Sequence, residues 1–178
     1  ITTVIKAPTG AGKTIVFIAN AILHALLRSE RAILIFPTRV LNEDMLRRLT
    51  KFVCVLRRYL PDKNVTGGIY IGVQDPLYNT LTDLKSNQRM VQYEECPLCK
   101  AKASVIGTER GQRIIGKCSK CSHEISYMYG PKESGNFLPL VTIATPDKLF
   151  YEATVRGYES QPYSPLPFFG GYYLKCIC

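Results

Sequence analysis

Residues 7–14 read Ala7-Pro8-Thr9-Gly10-Ala11-Gly12-Lys13-Thr14, between a strand-like run at residues 2–6 (TTVIK) and a long apolar run that suits a helix. The glycines allow the backbone to curl tightly and to point successive N–H groups at an anion. Lys13 adds a mobile positive charge for the β and γ phosphates of a nucleotide, and Thr14 offers a hydroxyl to Mg²⁺. A helix that begins near Lys13 also turns its positive end toward the same phosphates. The stretch therefore predicts a nucleotide-phosphate site, since an ordinary glycine-rich turn leaves Lys13 unexplained.

Composition narrows the class of protein. The 178 residues, 46% of them hydrophobic, suit one domain of ordinary size with a buried core. No run approaches the roughly 18 apolar residues that a membrane span requires, and no signal peptide is visible, so we expect an intracellular protein that does not meet a membrane. The formal charge of +9 favours a polyanionic partner. A zinc ion held by four thiolates would lower that charge only to about +7.

Strand-like and helix-like runs alternate over most of the chain. Five short apolar runs suit strands: residues 2–6, 31–36, 65–71, 139–144 and 172–178. Three longer runs suit helices: residues 14–27, 41–60 and 147–155. The alternation predicts an α/β fold with a parallel sheet and right-handed crossovers. Asn42 is expected to cap the second helix, whose basic face is interpreted as solvated in preference to contacting nucleic acid.

Two C-x-x-C pairs interrupt this alternation: Cys96 with Cys99, and Cys118 with Cys121. Their spacing is typical of a four-cysteine zinc site, in which residues 104–117 form a hairpin that turns at Gly111. All four ligand positions are then filled by protein, so the zinc would be structural. A segment of this size cannot build an adequate core alone, and the metal would supply its folding energy.

The cysteines also allow other interpretations. Disulfides are disfavoured in an intracellular nucleotide-binding protein, and a redox dithiol accounts for only one of the two pairs. His123 could replace a cysteine ligand but is expected to be a neighbour only. The remaining cysteines and the second histidine are expected to be structural residues of the core: Cys54, Cys176, Cys178 and His24.

Two further motifs follow strand-like runs: Pro37-Thr38-Arg39-Val40-Leu41 (PTRVL) and Thr145-Pro146-Asp147-Lys148-Leu149 (TPDKL). Ligands of open α/β folds bind at the carboxyl edge of the sheet, where both motifs are expected to lie. Hydroxyls, backbone N–H groups and a helix amino end at that edge suit contacts to phosphates without reading bases. In order along the chain, APTGAGKT, PTRVL and TPDKL resemble motif I, motif Ia and the TP-x-x-L motif of the first RecA-like domain of superfamily 2 (DEAD/DEAH-like) helicases.

The resemblance implies a P-loop RecA-like parallel sheet flanked by helices, with the cysteine segment as a zinc-ribbon-like insertion. It implies a first part of the RecA-like domain at residues 1–88, the insertion at 89–138 and the rest of the domain at 139–178. ATP and Mg²⁺ would bind at Pro8, Thr9, Gly10, Ala11, Gly12, Lys13 and Thr14, the last two being catalytic. Nucleic acid would be held by Pro37, Thr38, Arg39, Thr145, Pro146 and Asp147. Zn²⁺ would be held by Cys96, Cys99, Cys118 and Cys121.

The sequence departs from the family pattern in one respect. The acidic DExH box, which in the family holds Mg²⁺ and orients the attacking water, is absent, as is the second RecA-like domain with its arginine finger. The chain begins and stops inside strand-like runs, so we expect an excised piece that ends just before the box and hydrolyses ATP poorly alone. Gly67-Gly68 and Gly72 compete for a further backbone-binding motif, and the sequence leaves that assignment open.

The leading hypothesis is a nucleic-acid-dependent ATPase in which hydrolysis opens and closes a second domain over a strand held by PTRVL and TPDKL. DNA is favoured over RNA, because TPDKL with a zinc insertion looks more like DNA-processing helicases. A small-molecule kinase would share the phosphate loop but leave both motifs unexplained. The non-enzymatic alternative is a zinc-ribbon module, binding nucleic acid or a protein partner, on a nucleotide-binding scaffold. Genome maintenance and antiviral defence are both open as pathways.

Overall fold

The computed structural model of the chain describes residues 8, 12–28, 30–71, 86–90 and 92–154. Their helices and strands are, in order, α1 (Lys13–Arg28), β1 (Ala32–Ile35), α2 (Arg39–Tyr59), β2 (Gly67–Tyr70), β3 (Val105–Arg110), β4 (Arg113–Cys118), β5 (Glu124–Ile125), β6 (Met128–Tyr129), α3 (Pro131–Phe137), β7 (Val141–Ala144) and α4 (Pro146–Thr154). The strands expected at residues 2–6 and 172–178 lie outside the described residues. Within the described part, no helix is long and apolar enough to cross a membrane.

Among the described residues, the main sheet has four parallel strands in the order β1-β7-β2-β6. β7 comes last of these strands in the chain and lies between β1 and β2, with Ile35 opposite Ala144 and Tyr70 opposite the same residue on the other side. Parallel neighbours need crossover connections: along the chain, α2 lies between β1 and β2, α3 lies between β6 and β7, and the segment with the cysteine hairpin connects β2 to β6. The predicted α/β class with a parallel sheet is confirmed.

The core forms where one face of each long helix meets the sheet. α1 buries Ile18, Ala21, Ile22 and Ala25, at the spacing of one helix face. α2 contributes a second such face: Met45, Leu46, Leu49 and Val53. Each fully buried aliphatic side chain of this size stabilises the fold by about 1.5–3 kcal/mol relative to exposure, so these faces fix where both helices lie.

The amino end of α2 differs from the sequence prediction. Thr38, not Asn42, is the cap: its backbone is extended and its Oγ1 accepts the N–H of Leu41 at 3.4 Å. The helix therefore begins at Arg39, and Asn42 lies inside its first turns, fully buried. A cap must stand outside the helical backbone, and Thr38 already meets that requirement.

The cysteine segment forms an antiparallel sheet of three strands, in the order β3-β4-β5. The predicted hairpin is confirmed: β3 pairs with β4 from Val105–Cys118 to Arg110–Arg113, and Gly111 turns the chain with a φ of +62°. Beyond it, the chain returns to the main sheet earlier than the predicted end of the insertion at residue 138. Met128 already pairs with Gly67 in β2, and α3 follows directly.

The glycine pair in β2 allows β6 and α3 to approach the sheet closely. A Cβ added at Gly68 would collide with Ser134 Oγ and come within 2.5 Å of Pro139 Cγ, and one at Gly67 would lie 2.9 Å from Met128 Sδ. Both glycines are buried at the amino end of the strand. They serve packing at this position, and Gly72 lies outside the described residues.

Candidate functional site

The phosphate loop is described at Pro8, Gly12, Lys13 and Thr14. α1 begins at Lys13, as the sequence predicts. Gly12 has a φ of +75°, and a Cβ there would meet nothing within 4 Å, so backbone conformation and not space requires glycine. The Lys13 ammonium donates to the Pro8 carbonyl at 2.7 Å and ties the start of the helix to the start of the loop. Thr9, Gly10 and Ala11 lie outside the described residues.

PTRVL and TPDKL leave the main sheet at the same edge. β1 and β7 are adjacent and parallel, and their last residues, Ile35 and Ala144, are register partners. The N–H of Phe36 donates to the Ala144 carbonyl at 3.1 Å, which holds the two chain exits together. Two motifs more than a hundred residues apart in sequence therefore begin side by side at the carboxyl edge.

Both motifs start a helix in the same way. Thr38 Oγ1 accepts an N–H three residues ahead, and Thr145 Oγ1 accepts the N–H of Lys148 at 3.4 Å. Pro37, Thr38 and Pro146 are exposed. Two helix amino ends thus bring their positive dipole ends to one edge, an arrangement that suits phosphates. The side chain of Arg39 lies outside the description.

Asp147 has a different character from the other residues predicted to hold nucleic acid. It is exposed in the first turn of α4, where a carboxylate stabilises the positive helix end. A carboxylate repels phosphate, so Asp147 would contribute by stabilising the helix start and not by contacting the backbone of a strand.

The structure brings Cys96, Cys99, Cys118 and Cys121 together, with all four Sγ atoms within 4.8 Å of one another. The Sγ atoms of Cys96 and Cys121 are 3.7 Å apart, and so are those of Cys99 and Cys118. A tetrahedral zinc with Zn–S bonds of about 2.3 Å places its sulfurs roughly 3.8 Å apart, whereas a disulfide requires about 2.05 Å. The thiols are free, and the set fits Zn²⁺ by both donor chemistry and spacing.

The two cysteine pairs have the same backbone geometry. In each, the first cysteine donates its N–H to the carbonyl five residues ahead, Cys96 to Ala101 and Cys118 to His123, both at 2.9 Å. In each, the residue after the second cysteine adopts a positive φ, 60° at Lys100 and 56° at Ser122. Such left-handed residues are uncommon without glycine, so the sequence builds one tight knuckle twice.

Hydrogen bonds to sulfur tune the cluster. Burial opposes the charged form of Cys118, but the Ser104 hydroxyl and the N–H groups of Cys121 and Lys120 lower its thiol pKa to about 6. Ser104 Oγ lies 3.3 Å from that sulfur. Burial raises the pKa of Cys96 to about 12, although N–H groups of Cys99 and Leu98 also donate to it. The thiolate is the form that binds zinc, so these hydrogen bonds favour binding at Cys118. Ser104 was not identified from the sequence, because no motif marks it.

His123 lies beside the cluster and outside it. Its Nε2 is 3.1 Å from the Tyr127 hydroxyl and 3.6 Å from Cys54 Sγ, and burial lowers its pKa. Cys54 is a buried core residue of α2, as expected. The histidine therefore joins the insertion to α2, and among the described residues the group that could hold a metal consists of the four cysteines.

The basic face of α2 is partly used by the insertion. Arg47 pairs with Glu94 at 3.0 Å, and Lys51 pairs with Glu95 at 2.5 Å. Arg57 donates to the Val65 carbonyl and lies 5.5 Å from the Tyr127 ring centroid. Lys51 is exposed, as the predicted solvated face requires, whereas Arg47 and Arg57 are partly covered by Glu94 and by Val65 with Tyr127.

Comparison with known proteins identifies the family. A family model described as DEAD/DEAH box helicase matches residues 2–92, just over half of the chain. The match includes the phosphate loop and PTRVL, and TPDKL lies beyond it. Searches of curated proteins and of solved structures found no match. Such a domain implies ATP and Mg²⁺ as ligands and a nucleic acid as partner. The chain belongs to the DEAD/DEAH box helicase family and carries its RecA-like ATP-binding domain.

Proposed function

We infer that the full-length protein is a nucleic-acid-dependent ATPase, a helicase or translocase that couples ATP hydrolysis to movement along a strand. The observation that carries this proposal is the convergence of helix amino ends on one edge of the sheet. α2 and α4 begin directly past the carboxyl ends of β1 and β7. α1 ends shortly before β1 begins, so its first turn, at Lys13, is directed toward the same edge.

The phosphate loop would hold the nucleotide. The Lys13 ammonium, which donates to Pro8, would exchange this carbonyl for β- and γ-phosphate oxygens, and the Thr14 hydroxyl would hold Mg²⁺. Residues 9–12 would cradle the phosphates with their N–H groups, and Pro8 would begin the loop. Bound ATP and Mg²⁺ supply the phosphoryl bond and the charge neutralisation that hydrolysis needs. The chain's own contribution is positioning and electrostatic stabilisation.

The nucleic-acid strand would lie across the two motif helices. Thr38 and Thr145 would present their hydroxyls, and the first turns of α2 and α4 their N–H groups, to the backbone of the nucleic acid. Around them lie Pro37, Arg39, Pro146 and Asp147, the last of which would stabilise the start of α4. These groups do not read bases, so binding would be independent of base sequence. The arrangement would be completed by an acidic box and by a second RecA-like domain with an arginine finger, which closes over the strand during each ATP cycle.

We favour DNA over RNA as the substrate, on the likeness of TPDKL with a zinc insertion to DNA-processing helicases. The hydroxyls and helix amino ends at this edge would suit the phosphates of either polymer. The two substrates are separated by measuring ATP turnover with single-stranded DNA and with single-stranded RNA of matched sequence. Stronger stimulation by RNA would overturn the DNA assignment and leave the motor assignment intact.

Substitution of Lys13 tests the role of the loop. In the full-length protein, Lys13→Ala should abolish polymer-stimulated ATP turnover, because no other described group replaces its charge at the loop. Lys63→Ala is the matched control, an exposed lysine beyond α2, and should leave turnover unchanged. Undiminished hydrolysis by Lys13→Ala would refute the site. Polymer-independent phosphorylation of a metabolite would instead establish the kinase alternative.

We further propose that Cys96, Cys99, Cys118 and Cys121 hold a structural Zn²⁺. All four positions of a tetrahedron are filled by thiolates, which leaves none for a reactive water. Metal analysis should find one zinc per chain in the native protein and none in the Cys96→Ser/Cys118→Ser double variant. Cys54→Ala is the control, since Cys54 is outside the cluster, and should retain the metal. Stoichiometric zinc in the double variant would refute the site.

A further inference from the structure

The tip of the β3–β4 hairpin is attached to the motor core by a buried ion pair. Arg113, at the turn end of β4, directs its Nε to Glu133 Oε1 at 2.7 Å and its NH2 to Oε2 at 3.3 Å. The side chains are 22% and 8% exposed. Arg113 also donates to the Met128 carbonyl at 3.1 Å and lies 4.4 Å from the Tyr129 ring centroid. The planar guanidinium of Arg113 thus contacts several partners at once, in a geometry that the lysine ammonium does not reproduce.

Glu133 passes this attachment to the start of α3. Its Oε2 accepts the N–H of Gly130 at 3.0 Å, three residues before it, as in a capping box. Removal of Arg113 would leave the Glu133 carboxylate buried without its cationic partner, which is the costly way to break such a pair. The start of α3 therefore depends on a residue of the zinc hairpin.

α3 in turn sets the position of β7 and TPDKL. Ser134, one residue after Glu133, accepts the N–H of Leu138 through its carbonyl at 3.2 Å, and Leu138 adopts a left-handed φ of 46°. The Leu138 carbonyl accepts Arg31 Nε at 2.9 Å, which ties the segment to the entrance of β1. Val141 begins β7 three residues later, and TPDKL follows that strand.

The other side of the insertion contacts α2, the helix that PTRVL begins. Glu94 and Glu95 pair with Arg47 and Lys51, and His123 lies against Cys54. These ion pairs are largely exposed and contribute little individually. The insertion therefore contacts α2, which PTRVL begins, and α3, which precedes β7 and TPDKL; the contact is loose on the α2 side and tight on the α3 side.

We propose that Arg113 is a positioning residue: by fixing Glu133 and α3, the zinc hairpin sets TPDKL in the geometry that holds a nucleic-acid strand. The proposal rests on the proposed function and assigns a role in it to the insertion. The metal closes the hairpin at its cysteine end, and Arg113 fastens the opposite end to the sheet. The insertion, held by Arg113 and Glu133, would thus act as a brace: it would keep α3, β7 and TPDKL in the position that binds nucleic acid.

The test compares Arg113→Ala with Arg110→Ala in the full-length protein. Arg110 is the register partner of Arg113 on the same hairpin and makes an exposed pair with Glu124 at 2.8 Å. Arg113→Ala should raise the single-stranded DNA concentration for half-maximal ATPase by about tenfold, within the usual range of coupling between sites. The dissociation constant for ATP and the zinc content should not change. Arg110→Ala should behave as wild type.

Several results would overturn the brace. One is a folded Arg113→Ala protein with an unchanged DNA requirement. Another is a parallel loss of ATP affinity, which would indicate general loosening. If Arg113→Ala does not fold, Arg113→Lys is the second variant, because it keeps the positive charge and loses the planar guanidinium. It should raise the DNA concentration for half-maximal ATPase by less than Arg113→Ala would. An unchanged DNA concentration would contradict the proposal.

Hydrogen exchange separates failure of the brace from failure of the proposed function. Whether or not polymer stimulates the wild type, Arg113→Ala should accelerate amide exchange in residues 141–149 and leave residues 13–28 protected. Unchanged exchange in residues 141–149 refutes the brace. If polymer has no effect on the wild type but Arg113→Ala accelerates exchange in residues 141–149, the motor assignment is refuted and the brace is not.

Discussion

The carboxyl edge of the main sheet and the cysteine insertion are built in opposite ways. The edge consists of short motifs of neighbouring residues, which come together because the parallel strands before them end side by side. The insertion has four cysteines in two distant pairs, and its place in the molecule depends on contacts to α2 and α3. A local motif in the sequence thus indicates what a region could bind, whereas the way the insertion is attached to the rest of the domain is visible only in its tertiary contacts.

Removal of the metal should have the largest effect. Binding of a structural zinc contributes on the order of 10 kcal/mol to a small domain, so Cys118→Ser or chelation should unfold β3, β4 and β5. The parallel sheet has its own core from α1 and α2 and should survive. Hydrogen exchange measured separately over residues 105–125 and 13–59 checks this. Simultaneous loss of protection in both would show that the two regions are one folding unit.

Gly68→Ala tests how closely α3, the element to which the insertion is attached, packs on the main sheet. The added methyl would meet Ser134 and Pro139, and overpacking of this kind typically costs about 1–3 kcal/mol. Chemical denaturation of the zinc-loaded protein measures the loss in the free energy of unfolding. A neutral result would mean that α3 and Pro139 do not pack tightly against β2. Gly12→Ala, where the added Cβ has open space but the φ is positive, provides a comparison for backbone strain alone.

Asn42→Leu should stabilise the motor side. Asn42 is fully buried on the core side of α2, and neither atom of its amide has a hydrogen-bond partner among the described residues. An unpaired buried amide costs about 1–3 kcal/mol, and leucine has a similar size without that penalty. The thermal unfolding midpoint should rise. A lower midpoint would indicate that the amide bonds to a part of the chain beyond the described residues.

Glu94→Gln should have the smallest effect. The Arg47–Glu94 pair is 35% and 64% exposed, and such pairs contribute at most about 1 kcal/mol. The free energy of unfolding should change little, and the change should shrink further in high salt. A loss comparable to that of Arg113→Ala would reverse the proposed order of the tight and loose sides of the insertion.

The sequence was sufficient for the parts of the fold that depend on local pattern. Alternating runs identified the parallel sheet, and the spacing of the cysteine pairs identified both the cluster and its hairpin. Gly12, Lys13 and the start of α1 followed from one motif. In each case the property belongs to neighbouring residues or to a fixed spacing, and these are visible without coordinates.

Other features could not be read in this way. β6 has only two residues and no periodicity, so its return to the main sheet at Met128 had no signal. Arg113 and Glu133 are twenty residues apart and meet only when the hairpin packs on α3. Asn42 resembled a cap because the true helix start, fixed by Thr38, depends on where β1 ends. These outcomes are set by packing between elements and not by local preference.

We propose that the nucleotide loop serves a nucleic-acid motor. Steady-state ATP turnover by the full-length protein, measured over a range of single-stranded DNA concentrations, tests this directly. We expect a low rate without polymer and a saturable rise as DNA is added, independent of base sequence. A rate that stays flat with both DNA and RNA, in a protein that binds ATP, would contradict it.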